Sequence, residues 1–240
     1  MIQAPSIAVE PAWPGTVSDA EQSEFLDRLP AEERTAVFFE GERRYHPRGS
    51  ALVAQGQRGG DVLVVVRGRA AIECDAPNGR RIIVAVCQPG SVVGEVAALD
   101  GGRVSATVRA LETVETISIS GARFRRLVRE HPAVADVVLR SLCTRLRDAD
   151  RRVVELGAGD AVGRVCARVA ELAAEHGQIT GEGILITLSL SQDELAGYTG
   201  LSREAVSRVL GVLRRRGWVS TARRTTVVHD LDAVRRASRR

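Results

Sequence analysis

The sequence predicts an α+β protein of two domains: a β-barrel or sandwich, then a long helix, then a winged helix-turn-helix. Three patterns support this: short strands broken by glycines, a heptad repeat of apolar residues, and two short helices separated by a tight turn. A chain of 240 residues, 44% of them hydrophobic, is long enough to form two cores. We expect a loose tail over residues 1–18, a β-domain over 19–130, the long helix and a hinge over 131–159, and the helix-turn-helix domain over 160–240.

The N-terminal part contains one predicted helix followed by many short strands. Glu21–Arg34 places Phe25, Leu26 and Leu29 on one side of a helix. Further along, Pro77-Asn78-Gly79 is a strong hairpin turn between two apolar runs. The predicted strands are Asp61–Val66, Ala70–Cys74, Arg81–Cys87, Ala106–Ala110 and Val114–Ile119. Strands of this length and spacing are typical of a barrel or a sandwich.

A long helix is predicted between the two domains. Its apolar residues step by four and three positions in turn, which is the seam of a two-stranded coiled coil. The seam residues are Ala135, Leu139, Leu142, Leu146, Ala149, Val153 and Leu156. Because charged residues flank the seam, we favour a homodimer; the alternative is a helix lying on its own β-domain. Gly157-Ala158-Gly159 ends the helix and provides a hinge, and Asp160 can cap the next helix, which runs through His176.

The stretch Ser191–Arg216 predicts a helix-turn-helix. Ser191 and Glu194 have the spacing of a capping box, Gly200 permits a left-handed turn, and Ser202 can cap the second helix. One side of this second helix is apolar and the other carries polar side chains near its start: Val206, Val209, Leu210 and Leu213 against Arg203, Glu204, Ser207 and Arg208. The alternative is an ordinary helical hairpin with a solvated charged face.

A predicted wing and a concentration of charge favour DNA binding over that alternative. Trp218–Ser220 and Thr225–Val228 can pair as a hairpin with two arginines near its tip. From residue 201 to 240 the chain has eleven arginines against three acids, a net charge of about +8, whereas the whole chain carries +4. The predicted DNA-binding residues are Ser191, Gln192, Ser202, Arg203, Glu204, Ser207, Arg208, Arg223 and Arg224.

Composition and motifs argue against several other classes of protein. The cysteines, Cys74, Cys87, Cys143 and Cys166, are widely spaced and fit reduced thiols better than disulfides or a zinc site. The apolar run Val62–Val66 is too short to cross a bilayer and the N-terminus does not resemble a signal peptide, so we expect a cytoplasmic protein. The sequence has no catalytic motif, so we expect no enzyme and no metal site; a cytoplasmic enzyme with a helical appendage is a remote alternative.

One segment of the β-domain has the residue types of an anion site. Val92–Val108 contains a Gly-Glu pair, a Gly-Gly loop and Arg103 close to a serine. Free backbone N–H groups beside an arginine and a hydroxyl suit a phosphate, and Glu95 could accept a hydrogen bond from a sugar hydroxyl. The alternative is a surface loop with a structural Glu–Arg pair.

The chain resembles the cyclic-AMP receptor protein and fumarate-nitrate regulator (Crp–Fnr) superfamily of bacterial transcription factors, from about Phe25 to Val228. The most specific match is the helix start Ser202-Arg203-Glu204-Ala205-Val206-Ser207-Arg208. The resemblance implies a homodimer that reads a palindrome of TGTGA half-sites. Arg203 and Arg208 would then donate to guanines, and Glu204 would accept from a cytosine amino group. Whether RNA polymerase is a further partner stays open.

The β-domain resembles the cyclic-nucleotide-binding roll of that superfamily, which is a double-stranded β-helix or jelly roll. Gly94–Ala106 stands in the place of its phosphate-binding cassette. The sequence departs from the cassette where an arginine normally precedes the serine: here Val104 precedes Ser105, and Arg103 lies one residue earlier. On the long helix, Ala149-Asp150 replaces the Thr-Ser pair of the cyclic-AMP binders.

The resemblance implies a ligand site formed by Gly94, Glu95, Arg103, Ser105, Ala106, Arg145 and Asp150. Arg145 matches an arginine that reaches toward the cassette glutamate, here Glu95. The implied effector is cyclic AMP or another cyclic nucleotide. A different effector, or a degenerate sensor domain with constitutive DNA binding, is the alternative.

Overall fold

The computed structural model describes residues 24–76, 79–222 and 224–238, with Leu156 and Ala158 described by their backbone alone. The predicted tail, the turn at Pro77-Asn78 and the wing residue Arg223 therefore lie outside the described residues. No helix within these ranges is long and apolar enough to span a membrane.

The N-terminal region forms two short helices, α1 (Phe25–Arg28) and α2 (Ala31–Phe39). The prediction of one helix over Glu21–Arg34 is wrong, because the chain becomes extended at Leu29, where ψ is 136°. Leu29 precedes Pro30, and a residue before proline is disfavoured in the helical region. Phe25, Leu26 and Leu29 are nevertheless buried, as their spacing indicated.

The β-domain is a roll of two antiparallel four-stranded sheets, in the orders β1-β8-β3-β6 and β2-β7-β4-β5. The strands are β1 (Glu42–His46), β2 (Ala51–Val53), β3 (Asp61–Arg67), β4 (Ala70–Asp75), β5 (Arg81–Cys87), β6 (Val92–Val93), β7 (Thr107–Ala110) and β8 (Val114–Ser120). The five predicted strands are confirmed. The middle of β3, Val62–Val65, is apolar because both faces of the strand are covered there. Val62 and Val64 pack in one cluster with Ile119, while Leu63 and Val65 pack in another.

One short helix lies within the roll, between β6 and β7, and two further helices lead from the roll to the second domain. The short helix α3 (Glu95–Asp100) lies between two glycines with positive φ, and α4 (Gly121–Glu130) follows β8. The long helix α5 (Pro132–Ala158) confirms the predicted continuous helix. Its first turns pack on the roll through Val134, Val137 and Val138, which are buried with Phe124.

The C-terminal domain places helices around a small antiparallel sheet in the order β11-β12-β10-β9. Its elements are α6 (Ala161–His176), β9 (Gly177–Thr180), β10 (Gly183–Ile186), α7 (Gln192–Thr199), α8 (Arg203–Arg215), β11 (Val219–Ala222), β12 (Thr225–Val228) and α9 (Leu231–Ala237). Asp160 caps α6 as predicted, since its Oδ1 accepts from the Gly163 N–H at 2.7 Å. The core joins Val165 and Val169 of α6 to Leu210 and Leu213 of α8.

The C-terminal domain rests directly on the roll of the same chain. Ala71 and Ile83 of the roll belong to the same buried cluster as Tyr198 of α7. The two domains approach each other closely at Gly197, where an added Cβ would lie 2.9 Å from the Arg81 carbonyl oxygen. A glycine at this position therefore lets α7 lie against β5.

A buried ionic cluster holds the junction between α5 and the C-terminal domain. Arg168 of α6, which is 5% exposed, forms ion pairs with Glu155 of α5 and Glu171 of α6. Arg152 of α5 donates to Glu171 at 3.0 Å and lies 5.0 Å from the centre of the Tyr198 ring. Burial raises the pKa of the Tyr198 hydroxyl, so this group stays protonated. The cluster links three helices through charge.

We predict that Gly68→Ala lowers the free energy of unfolding by about 3 kcal/mol, because backbone strain and a steric clash add together. Gly68 has φ of +78°, and a Cβ there would lie 2.2 Å from the Thr113 carbonyl oxygen. Gly56→Ala is the matched control: φ is +81° and nothing lies within 4 Å of the added Cβ. Urea denaturation of both variants should show the larger loss in Gly68→Ala; equal losses would contradict the packing described here.

We predict that Arg168→Met costs about 3 kcal/mol of unfolding free energy, because it leaves Glu155 without its buried partner and Glu171 with Arg152 alone. Arg151→Met is the control, since Arg151 forms an exposed ion pair with Asp148 at 2.8 Å and should cost less than about 1 kcal/mol. Denaturation followed by far-UV circular dichroism measures the cost of each variant. Equal, small costs for the two variants would show that the cluster contributes little to stability.

Candidate nucleic-acid interface and effector cavity

The helix-turn-helix forms through the local signals that the sequence contains. The Ser191 Oγ accepts from the Glu194 N–H at 3.1 Å and the Glu194 Oε2 accepts from the Ser191 N–H at 2.6 Å, which confirms the capping box. Gly200 takes φ of 66° at the turn. The Ser202 Oγ then accepts from the Ala205 N–H at 3.2 Å and caps α8. These bonds fix the direction in which α8 begins.

One side of helix α8 is buried and the other is largely exposed, as predicted. Val206, Val209, Leu210 and Leu213 are buried. Arg203, Glu204 and Arg208 are exposed and Ser207 is half-buried. The Arg203 guanidinium lies 3.8 Å from Asp193, but the two side chains are 60% and 73% exposed. A pair this open is weak, so Arg203 stays available to another partner.

Glu204 is held in its ionised form at the start of α8. Its pKa is lowered by hydrogen bonds from its own backbone N–H and from the Ser202 hydroxyl, and further by the charges of Arg203 and Arg208. An ionised carboxylate accepts hydrogen bonds and cannot donate them. The exposed start of α8 therefore presents one acceptor between two cationic donors.

The wing lies beside the helix-turn-helix. Strands β11 and β12 pair from Val219↔Val228 to Ala222↔Thr225, which confirms the predicted hairpin. Arg224, at its tip, has φ of 59° and is exposed, and its carbonyl accepts from the Ser189 hydroxyl at 2.9 Å. Arg214 of α8 donates to the Thr221 hydroxyl at 2.9 Å and ties the wing to the helix. Gln192, in the first turn of α7, is also exposed.

The predicted seam of α5 is largely open in the single chain. Leu139, Leu146 and Val153 are 61%, 64% and 68% exposed. Ala149 is exposed as well, whereas Leu142 is half-buried and packs against the core of the roll. The side chain of Leu156 lies outside the described residues. Three large apolar side chains thus form an exposed stripe along the helix.

A continuous cavity of about 1620 Å³ lies between the roll, α5 and the C-terminal domain. Glu95 lines it, is only 2% exposed, and accepts from Arg145 of α5 through Oε1 at 2.6 Å. Arg145 also donates to the Val92 carbonyl at 2.5 Å. The Glu95 Oε2 is buried and has no hydrogen-bond partner among the described residues. The expected Glu95–Arg145 contact is therefore present, with one carboxylate oxygen left over.

The placement of Arg103 requires a correction. Arg103 is exposed, donates to the Gly56 carbonyl at 2.7 Å, and pairs in a bridge with Arg58, so it does not line the cavity. Val104, the next residue, is buried and does line it. The Arg103 side chain instead reaches the Gly56 carbonyl, so the shift of one residue leaves Val104 in the place of the arginine.

The remaining predicted ligand residues surround the cavity. Gly94, Ser105, Ala106 and Asp150 line it, as does Ala149. Gly94 has φ of +86°, and a Cβ there would lie 2.8 Å from the Asp61 carbonyl oxygen. This glycine lets α3 begin where Glu95 can reach Arg145.

A cyclic nucleotide fits these residues only in part. Glu95 has a free oxygen for a sugar hydroxyl. The side chain in the place of the phosphate-binding arginine is Val104, which can neither donate a hydrogen bond nor carry charge. The residues present therefore do not fit the phosphate group.

The described residues contain no cluster of metal ligands, and Cys74, Cys87, Cys143 and Cys166 are free thiols. The His46 ring forms a hydrogen bond with the Thr116 hydroxyl at 3.0 Å, and His131 lies between α4 and α5.

Comparisons with known proteins agree with this architecture. Residues 43–131 match the cyclic nucleotide-binding domain, and residues 163–237 match the Crp-like helix-turn-helix domain. The chain is 30% identical to the cyclic AMP receptor protein of Thermus thermophilus over 189 residues, an alignment that covers 79% of this chain and 84% of the relative. It is 28% identical over 193 residues to the CRP-like cAMP-activated global transcriptional regulator of Mycobacterium tuberculosis. That alignment covers 80% of this chain and 86% of the relative.

Solved structures share the fold. The c-di-GMP responsive global regulator CLP of Xanthomonas campestris superposes with a TM-score of 0.76 at 23% identity, over 83% of this chain and 99% of that one. The relatives are transcription regulators and not enzymes, as the sequence predicted. With both domains matched in order and an identity of 30% over most of each chain, this protein belongs to the Crp–Fnr superfamily of transcription regulators.

Proposed function

We propose that the protein is a homodimeric regulator that reads a palindromic TGTGA-like site in DNA, with an effector in the roll cavity. The observation that carries this proposal is the start of α8, where Arg203, Glu204 and Arg208 are exposed on a helix whose other side is buried. The domain boundaries predicted from the sequence, at 18/19, 130/131 and 159/160, are part of the proposal.

Base recognition follows from the chemistry of these three side chains. Arg203 and Arg208 donate to the O6 and N7 acceptors of guanine in the major groove. Glu204, kept ionised by its neighbours, accepts from the N4 amino group of cytosine. Each such contact discriminates against a wrong base by about 1–3 kcal/mol.

Backbone contacts position the recognition helix. Ser191, Gln192 and Ser202 lie at the first turns of α7 and α8, where unpaired N–H groups favour phosphate. Arg224 at the tip of the wing is exposed, and we propose that it and Arg223 contact a neighbouring phosphate. These contacts carry no sequence information but make affinity depend on salt.

The exposed stripe of α5 supports dimerisation. Leu139, Leu146 and Val153 would be covered by the same residues of a second copy across a two-fold axis. Two recognition helices related by that axis would face successive major grooves of a palindrome. RNA polymerase is a further proposed partner, and the cytoplasm is the proposed location.

Regulation would act through α5. The cavity contacts this helix through the Glu95–Arg145 pair, and the same helix reaches the C-terminal domain through the Arg168 cluster. A ligand that prefers one packing of α5 would shift the orientation of the DNA-binding domains. The cAMP-activated relatives favour a cyclic nucleotide, whereas Val104 favours the alternative of a degenerate sensor with constitutive binding. An operator affinity unchanged by every cavity ligand would support that alternative.

We predict that Arg203→Ala weakens binding to a TGTGA palindrome by about 1–3 kcal/mol, or roughly 5- to 150-fold. Arg215→Ala is the control, because it removes the same charge from the exposed far end of α8. Fluorescence anisotropy at fixed salt measures both. If Arg203→Ala binds the palindrome as tightly as the parent does, α8 is not the reading helix.

We predict that Leu146→Glu raises the dimer dissociation constant at least about tenfold, because it places a charge in an apolar interface. Arg147→Glu is the control: it introduces the same side chain at an exposed position outside the seam. Sedimentation velocity over a dilution series should show monomers in the first variant and dimers in the second. If the two variants dimerise equally, the apolar stripe of α5 is not the dimer interface.

A further inference from the structure

We propose that the cavity binds an uncharged, largely apolar molecule that carries a hydroxyl group, and that it does not bind a nucleotide phosphate. This inference rests on the proposed function, since it names the class of effector for the roll cavity. It depends on three observations: the apolar wall, the partners of the arginines, and the free oxygen of Glu95.

The wall of the cavity within the roll is mostly hydrocarbon. It is lined by aliphatic side chains from β2, β4, β5, β6, β7 and the loop before β7: Val53, Ile72, Ile82, Val84, Val93, Val104, Ala106 and Val108. Covering such a surface with an apolar ligand removes hydrocarbon from water, which stabilises the complex in proportion to the apolar area buried. A ligand for this wall gains most of its affinity from apolar area.

The arginine that touches the cassette is already engaged. Arg145 donates to Glu95 and to the Val92 carbonyl, so its charge is balanced by Glu95. An anion beside Glu95 would be repelled by that carboxylate and would face Val104 in place of a cation. Burying a charge without a partner costs several kcal/mol, which excludes a phosphate at this end of the cavity.

The arginines that line the cavity from α5 and from the C-terminal domain are paired or screened. Arg151 pairs with Asp148, Arg152 with Glu171, Arg168 with Glu155 and Glu171, and Arg164 donates to the Thr199 carbonyl. Arg147 is exposed to water, which screens its charge. Arg103 points away, to the Gly56 carbonyl.

Glu95 provides the polar contact. Its Oε2 is buried without a donor, and a buried acceptor of this kind gains from a hydrogen bond. A hydroxyl donating to a carboxylate forms a short, charge-assisted bond. An apolar molecule with one hydroxyl therefore matches both the wall and its polar group.

Three probes with the same ring system test this proposal: 2-naphthol, naphthalene and 2-naphthyl phosphate. Equilibrium dialysis against the full-length protein at neutral pH gives the affinity of each. We expect 2-naphthol to bind at least about tenfold more tightly than the other two, because only it supplies a donor without a charge. Tighter binding of 2-naphthyl phosphate or of cyclic AMP, no preference for 2-naphthol over naphthalene, or no binding of any probe at about 0.1 mM would overturn the proposal.

Variants of two residues separate the polar contact from the wall. Glu95→Gln should bring the affinity for 2-naphthol to within about threefold of that for naphthalene. Val104→Arg should strengthen binding of 2-naphthyl phosphate at least about tenfold, whereas Val104→Leu, which adds bulk without charge, should not. Melting curves check that each variant folds; if Glu95→Gln does not, the Val104 pair and the parent series decide the matter. If Val104→Arg and Val104→Leu change the affinity for 2-naphthyl phosphate equally, the proposal is contradicted.

Operator binding by the same preparations distinguishes a failure of the proposed ligand class from a failure of the proposed DNA readout. A protein that prefers the palindrome but not 2-naphthol loses only the ligand class proposed here. A protein with the expected probe preference and no preference for the palindrome would instead overturn the proposed DNA readout.

Discussion

The junction around Arg168 is the constraint on which the rest of the arrangement depends. Its guanidinium is buried, so carboxylates must surround it, and Glu155 and Glu171 come from two different helices. The end of α5 and the start of the C-terminal domain are therefore fixed to each other. Because the Tyr198 ring lies against Arg152 and Arg168, α7 is held by the same cluster. The helix that precedes the reading helix thus takes its position from a charge network.

The same helix α5 serves three surfaces along its length. Its first turns are buried on the roll, its middle contacts the cavity through Arg145, and its exposed stripe stays open in the single chain. A change at any one surface bears on the other two, since a continuous helix moves as a unit. This is the physical basis for the proposed coupling between the cavity and DNA.

Elements with strong local signals could be predicted from the sequence. The capping box at Ser191, the turn at Gly200 and the buried side of α8 depend on residues a few positions apart. The sequence does not predict the edge strand β1, because Glu42–His46 is polar and mostly exposed. It does not predict α9 either, because seven residues are too few to show a helical repeat of apolar positions. Pro30 is the local signal for the break between α1 and α2, although the apolar pattern runs across it. In the Arg168 cluster only Glu171 is a local partner of Arg168, while Glu155 and Tyr198 come from other helices, so no local pattern reveals the cluster.

The spacing of half-sites tests the central claim, that one two-fold axis presents two reading helices to DNA. Anisotropy would compare a TGTGA palindrome whose halves are about six base pairs apart with one whose spacer is about five base pairs longer, half a helical turn out of phase. A single half-site serves as the reference. The account predicts that the first duplex binds at least about tenfold more tightly and that the second binds no better than the single half-site. Equal affinity for both palindromes would contradict it.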